Sequence, residues 1–126
     1  DFDFADWERT YRGLLDRARQ ANPALKIVLC TPFAAPCGKI VEGALGEYYP
    51  LRQRILAQCC VIVERIAADY GATLVPFHRL IADLETRLPN GDATYWVWDG
   101  IHPTPAGQRL MADCWIGAAA RNGVME

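Results

Sequence analysis

Two short apolar runs on either side of one long amphipathic segment constrain the fold of this chain most. The runs cover residues 26–31 and 72–77, and each is a continuous apolar stretch typical of a buried strand. Between them, apolar residues recur at helical spacing from near residue 50 to the glycine at 71. A strand, a helix and a second strand in this order form a parallel pair. The sequence therefore predicts an α/β fold with a parallel sheet.

Three further helices are predicted around these strands. The spacing of their apolar residues places them at about 6–21, 80–88 and 105–119. Thr104 is a favourable N-cap, and Pro105 suits the first position of the last helix. The residues predicted to face the core from the first and last of these helices are Trp7, Tyr11, Leu14, Leu15, Ala18, Leu110, Met111, Cys114 and Trp115.

Two segments are predicted to lie outside helices and strands. Residues 33–49 are rich in glycine, alanine and proline and are predicted to form a long surface loop, and residues 89–91 are predicted to form a turn. Long loops in compact domains often carry functional residues. The first segment is therefore of interest because it directly follows a predicted strand.

Composition narrows the classes of function. The chain has 126 residues, of which 52% are hydrophobic, so it can bury the core of a single domain. The formal net charge is −2 and no basic run occurs, which argues against a nucleic-acid partner. No apolar stretch approaches membrane-spanning length and no signal-like N-terminus is visible, so no membrane partner is predicted.

The cysteines and histidines indicate neither a disulfide framework nor a metal site. The five cysteines are odd in number and include an adjacent pair, a pattern that fits a reducing, cytoplasmic location. There is no C-x-x-C, and His78 and His102 lie far apart in sequence. We therefore expect no metal and no cofactor, and we expect His78 to be structural.

An aspartate and a histidine three residues apart, Asp99 and His102, are the strongest candidates for chemistry. In a hydrolytic triad the histidine takes a proton from the nucleophile, and the carboxylate fixes the ring tautomer. Gly100 permits a tight turn between them and Pro103 stiffens its exit. The alternative is that the aspartate is an ordinary turn residue and the histidine an ordinary surface side chain. The sequence contains no serine.

Three aromatic residues are weaker candidates for substrate binding. Trp96 and Trp98 flank the aspartate–histidine pair, where aromatic faces line a pocket for an acyl group or a sugar, or else pack in the core. Phe33 follows the first predicted strand. Because parallel strands bring their carboxyl ends to one edge of a sheet, we expect Phe33, His78 and the Asp99–His102 loop to lie near that edge.

The block W-D-G-I-H-P-T-P-A-G at residues 98–107 resembles the last conserved block of the SGNH (GDSL-type) hydrolases, D-G-x-H-P-x-x-x-G. The order of elements is also similar, with a helix beginning W-x-x-x-Y, a strand ending T-P-F, a long loop, a long helix and a strand. Residues 95–100 and the T-P-F strand end are most similar to acetylxylan-esterase-like carbohydrate esterases.

This resemblance implies that residues 1–126 are the C-terminal portion of a single three-layer α/β/α, flavodoxin-like domain. It implies hydrolysis of a small-molecule or oligosaccharide ester, most simply a carbohydrate acetyl ester, through a serine acyl-enzyme. Asp99 and His102 match the aspartate and histidine of the family's triad. The family has no cofactor, and some of its members form homo-oligomers.

The family's serine and oxyanion-hole donors belong to N-terminal blocks that match nothing in these 126 residues. We therefore expect a missing N-terminal segment of the same domain as the partner of this chain, and no esterase activity from the chain alone. The alternatives are a lysophospholipase or thioesterase that uses the same triad, and an inactive fragment or interaction module.

Overall fold

The chain forms five α-helices and two β-strands in residues 2–87 and 93–125, which are the residues described in the computed structural model. In chain order they are α1 (Phe4–Ala21), β1 (Val28–Cys30), α2 (Gly43–Glu47), α3 (Tyr49–Tyr70), β2 (Thr73–Val75), α4 (Phe77–Arg87) and α5 (Pro105–Arg121). Short 3-10 helices lie at Gly38–Val41 and Ala93–Tyr95.

The two strands are parallel, which confirms the prediction from the apolar runs. Val28 lies opposite Thr73 in the ladder, and Cys30 lies opposite Val75. Both strands are shorter than the runs that predicted them. After Cys30, the N–H of Thr31 donates one more hydrogen bond to the carbonyl of Val75. The ladder ends there because the next residue, Pro32, has no N–H to donate.

The long crossover helix α3 covers both strands and forms the main core. Its buried face consists of Cys59, Cys60, Ile62, Val63, Ile66 and Ala67, which lie within the segment where apolar residues recur at helical spacing. The helix ends where Gly71 adopts a left-handed conformation at φ 58° and donates its N–H to carbonyls of the last turn. The helix thus begins and ends within one residue of its predicted limits.

The first helix packs against α3 through part of its predicted face. Trp7, Tyr11 and Leu15 contact the core cluster, whereas Leu14 is exposed, so its assignment to the core was wrong. The helix begins at Phe4 because the carboxylate of Asp3 accepts a hydrogen bond from the N–H of Asp6 and caps the first turn.

The segment after β1 is only partly the surface loop that its composition predicted. It contains the Gly38–Val41 turn and α2, and the side chains of Ala35, Cys37 and Ile40 are buried. These three residues pack beneath a second loop that follows the Ala93–Tyr95 turn. The segment after β1 therefore supports this second loop from the protein interior, in addition to forming part of the surface.

Helices α4 and α5 follow the prediction in part. Helix α4 begins at Phe77, three residues before its predicted start, while its predicted last residue, Leu88, and the predicted turn at 89–91 lie outside the described residues. Thr104 caps α5 as predicted, accepting a hydrogen bond from Gly107. The four residues predicted to face inward from α5 are half-buried, and the fully buried ones are Gly107, Ala118 and Ala119.

Among the described residues, no helix has the length and hydropathy needed to span a membrane.

Candidate active site

A tight loop between the Ala93–Tyr95 turn and α5 presents Asp99 and His102. Val97 and Pro103 form an antiparallel bridge, and the N–H of Trp98 donates to the carbonyl of His102 over 3.1 Å. These contacts close a narrow loop whose tip is residues 99–101. The glycine at position 100 adopts φ +90°, a conformation that other residues rarely adopt.

The carboxylate of Asp99 is fully engaged within this loop. Its Oδ2 lies 2.8 Å from Nδ1 of His102, while its Oδ1 accepts the backbone N–H of Ile101 at 3.0 Å and that of His102 at 2.8 Å. These bonds stabilise the charged form, first the backbone N–H of His102 and then its ring. They lower the pKa of Asp99 to about 2, so the carboxylate is ionised at neutral pH.

The geometry fixes the tautomer of the His102 ring. Because an ionised carboxylate only accepts hydrogen bonds, Nδ1 carries the proton that Asp99 receives, and the neutral ring has its lone pair on Nε2. The imidazole side chain is 67% exposed, whereas that of Asp99 is 15% exposed. No hydrogen bond from the described residues engages Nε2. The ring can therefore accept a proton at Nε2 from an approaching group.

The segment that follows β1 holds the Asp99 loop in place through hydrogen bonds to backbone carbonyls of the loop. The N–H of Ala35 donates to the carbonyl of Gly100 over 2.9 Å, and the N–H of Ile40 donates to the carbonyl of Asp99 over 3.4 Å. The thiol of Cys37 donates to the carbonyl of Val97 over 2.9 Å. Three backbone carbonyls of the loop are thus fixed by residues about 60 positions earlier in the chain.

The close approach of these two segments requires a glycine at position 38. A Cβ built on Gly38 would lie 2.6 Å from the Cα of Asp99 and 2.7 Å from the carbonyl oxygen of Trp98. The residue also has a positive φ of +60°. No motif in the sequence marks this position as functional. Its only signal was a glycine in a segment rich in alanine and proline directly after a strand.

The structure separates the three aromatic candidates. The indole of Trp98 stacks on the His102 ring, with centroids 6.0 Å apart and ring planes inclined by 24°. Trp96 is half-buried and packs against a cluster that contains Ala35 and Val97, and its ring meets that of Tyr95 edge-on. Phe33 packs against the same cluster and also lines a pocket that includes neither member of the aspartate–histidine pair.

The second histidine ties α4 to the end of β1. The backbone N–H of His78 donates to Oγ1 of Thr31 over 3.1 Å, and Nδ1 of the His78 ring lies 2.8 Å from the same oxygen. Oγ1 accepts the backbone N–H, and it can donate its own proton to Nδ1 when the ring carries its proton on Nε2, which lies 3.7 Å from Oε1 of Glu64. Burial lowers the pKa of His78, which favours this neutral form. These contacts agree with a structural role.

Comparison with known proteins shows the family of this chain. Residues 1–110 match the model of the GDSL-like lipase/acylhydrolase family, and the chain belongs to that family. A crystal structure of a protein from Parabacteroides merdae ATCC 43184, described as a GDSL-like lipase, is similar with a TM-score of 0.74 and 28% sequence identity. The similarity covers 90% of this chain and 48% of that chain, so the chain spans about half the length of its structural relative. Comparison with curated proteins found no match.

Proposed function

We propose that this chain supplies the acid–base half of a serine ester hydrolase, with Asp99 and His102 as the aspartate and histidine of a Ser–His–Asp triad. The observation that carries the proposal is the 2.8 Å contact between Oδ2 of the aspartate and Nδ1 of the histidine, which leaves Nε2 available. Membership of the GDSL-like lipase/acylhydrolase family supports ester hydrolysis as the reaction. We further propose a three-layer α/β/α, flavodoxin-like arrangement for the whole domain.

In the proposed reaction, Nε2 of His102 takes the proton of the nucleophile's hydroxyl as that oxygen attacks the ester carbonyl. The imidazolium then protonates the leaving alcohol, and an acyl-enzyme remains. Water, activated by the same ring, releases the acid and restores the nucleophile. Asp99 holds Nδ1–H throughout and stabilises the imidazolium without becoming protonated itself.

The proposal requires a nucleophile from outside these 126 residues, because the sequence contains no serine. We propose that the N-terminal part of the same domain supplies this serine, together with the oxyanion-hole donors. The share of the Parabacteroides merdae chain that has no counterpart here leaves room for such a part. In this proposal the chain alone has no serine-dependent activity.

A carbohydrate acetyl ester is the substrate that we propose. Trp98, which stacks on the His102 ring, is 55% exposed, and Tyr95, in the turn that precedes the Asp99 loop, is 64% exposed. Exposed aromatic faces suit the apolar faces of sugar rings, whereas a long acyl chain needs a deep apolar groove that begins at the histidine. The pocket lined by Phe33 does not include His102. A lysophospholipase or thioesterase remains the second candidate because the same triad serves it.

The test compares esters on the protein at its natural length. We expect acetate release from acetylated xylo-oligosaccharides at rates above those for lysophosphatidylcholine and palmitoyl-CoA, together with labelling by a fluorophosphonate probe. Asp99→Asn should lower kcat/KM on the order of 10⁴-fold, because the amide favours the wrong ring tautomer. Asp113→Asn, the same change at an exposed aspartate of α5, is the control and should leave kcat/KM unchanged.

Two results would contradict this proposal. Wild-type rates from Asp99→Asn would remove this aspartate from the mechanism. Absence of both labelling and hydrolysis at natural length would favour the non-enzymatic alternative, an interaction module. If lysophosphatidylcholine or palmitoyl-CoA were hydrolysed faster than the acetylated sugar, the proposed triad would stand but the proposed carbohydrate substrate would be wrong.

A further inference from the structure

A separate pocket of about 410 Å³ lies at the carboxyl ends of the two strands. Pro32 and Phe33 line it directly after β1, and His78 lines it just after β2. Helices α3 and α4 supply the other walls. Ligands of parallel α/β sheets bind outside the carboxyl ends of the strands, and a pocket of this volume suits a small molecule. Neither Asp99 nor His102 lines this pocket.

The walls of the pocket are mostly apolar, and their polar groups are largely engaged. Gln53 donates to the carbonyl of Ala34 over 3.0 Å and also contacts the hydroxyl of Tyr49. The thiol of Cys60 donates to the carbonyl of Pro32. The apolar side chains that line the pocket include Phe33, Leu56 and Ile81. A ligand therefore meets a largely apolar surface.

One carboxylate in this wall, that of Glu85, has no partner among the described residues. It is half-buried, and no hydrogen bond or ion pair of the described residues engages it. The basic side chains that α4 carries are already paired, Arg79 with Glu64 and Arg87 with Asp83, each at 2.5 Å. Among the described residues, no lysine or arginine lines the pocket. Burial raises the pKa of Glu85, as expected for a carboxylate in an apolar wall without a compensating cation.

We propose that this pocket binds a small cationic amphiphile, in which an ammonium group pairs with Glu85 and a compact apolar body lies against Phe33, Leu56 and Ile81. A charge-assisted hydrogen bond to the carboxylate favours an ammonium over a neutral hydroxyl. A ligand carboxylate is disfavoured, because it would face Glu85 in an apolar wall without a cation between them. This binding site is distinct from the aspartate–histidine pair and does not depend on the proposed hydrolysis.

The segment after β1 forms one wall of the pocket and also donates hydrogen bonds to the Asp99 loop. In the segment after β1, Ala34 and Pro36 line the pocket, while Ala35 and Cys37 are buried beneath the loop. Residues of one short extended stretch thus alternate between the two sites. An occupant of the pocket lies against the segment that donates hydrogen bonds to Gly100 and Val97.

The test is isothermal titration calorimetry at pH 7 on the protein at its natural length, with three ligands that share one apolar body. These are 3-phenylpropylamine, 3-phenylpropanol and 3-phenylpropionate. We expect the amine to bind at least about tenfold more tightly than the carboxylate. Glu85→Gln should weaken amine binding about tenfold and change alcohol binding less than about twofold. Glu47→Gln, the same change at an exposed glutamate outside the pocket, should alter neither.

A second variant tests the location of the site. Ala82 lines the pocket with an exposed side chain, so Ala82→Phe should fill the pocket without disturbing the core, and unchanged circular dichroism would verify the fold. We expect this variant to lose binding of the amine and the alcohol alike. Four results would overturn the proposal. They are equal affinities for the amine and the carboxylate, an unchanged preference for the amine in Glu85→Gln, undiminished binding of the amine in Ala82→Phe, and no binding of any of the three ligands.

Discussion

The indole of Trp98 lies over the imidazole of His102, with 6.0 Å between the ring centroids and 24° between the ring planes. The indole therefore lies to one side of the histidine ring, while the Nδ1 edge of the ring is held by Asp99. The ring is constrained in two directions although it is largely exposed. This contact makes Trp98 a candidate positioning residue for His102, in addition to the role in substrate binding that its place in the sequence predicts.

Replacing Trp98 distinguishes the two roles. We expect Trp98→Ala to lower kcat for an acetyl ester by about twofold to thirtyfold with KM nearly unchanged, because the loss of a ring stacked on a cation costs about 0.5–2 kcal/mol. Trp98→Phe retains an aromatic face and should recover most of the loss. Steady-state kinetics at natural length provides the measurement. A raised KM with unchanged kcat would instead assign Trp98 to substrate binding.

Gly38→Ala should destabilise the protein through a clash as well as through backbone strain. The new Cβ would lie 2.6 Å from the Cα of Asp99, a backbone atom that cannot move without shifting the loop. We expect a loss of about 2–5 kcal/mol in the free energy of unfolding, which combines about 1–2 kcal/mol of left-handed strain with about 1–3 kcal/mol of overpacking. Urea denaturation measures this loss.

Gly43→Ala is the matched control for this change. Gly43 also has a positive φ, +50°, but a Cβ at this position meets no atom of the described residues within 4 Å. It should therefore show the strain alone, about 1–2 kcal/mol. Equal losses in the two variants would mean that the two segments separate easily and that Gly38 does not hold the Asp99 loop.

Asp99 should make stability depend on pH in the acid range. Its pKa is about 2 in the folded protein, against an ordinary value of 3.8, so the unfolded chain takes up the proton more readily. The stabilisation is fully present above pH 3.8 and is lost as the pH falls towards about 2. We expect the urea midpoint to fall more steeply over this range for the wild type than for Asp99→Asn, which has no carboxylate to protonate. Parallel curves would contradict the lowered pKa.

Shortening a buried side chain of α3 should strongly destabilise the protein. Ile66 is fully buried between the helix and the sheet, so Ile66→Ala should cost about 2–5 kcal/mol in the free energy of unfolding. Val61 lies on the same helix but is exposed, and Val61→Ala should change that free energy by less than about 0.5 kcal/mol. Thermal unfolding of both variants tests this difference, and similar melting temperatures would contradict the packing described for α3.

The 126-residue chain alone should not hydrolyse activated esters faster than free imidazole. It contains the aspartate–histidine pair but no serine, and removal of a nucleophile eliminates most of the rate that a triad provides. The measurement is release of p-nitrophenol from p-nitrophenyl acetate, with His102→Ala as the control. A rate that exceeds imidazole and depends on His102 would show that another residue of this chain acts as nucleophile.

The local features of this protein and the parallel pairing of its two strands could be predicted from its sequence, whereas its other long-range contacts could not. Helical spacing placed α3, and the Thr104 cap and Pro105 placed the start of α5, because these signals lie within a few residues of the element that they determine. The pairing of Asp99 with His102 was expected for the same reason, since only three residues separate them. Their catalytic role stays a prediction.

The contacts beneath the Asp99 loop were missed because their partners are distant in sequence. Nothing near Gly38 indicates that its backbone meets that of Asp99, and no pattern in the Cys37 region points to the carbonyl of Val97. The exposure of Leu14 was missed because helical spacing identifies an apolar face but does not show how much of that face a neighbouring helix covers.

The bond between Cys37 and Val97 also bears on the order in which this protein folds. Asp99 and His102 lie three residues apart, so their contact needs only the local turn at Gly100 to form. The Cys37 bond spans 60 positions and forms only when the two halves of the chain have come together. Protection of the Cys37 thiol from alkylation would therefore follow the non-local step in which these two segments come together.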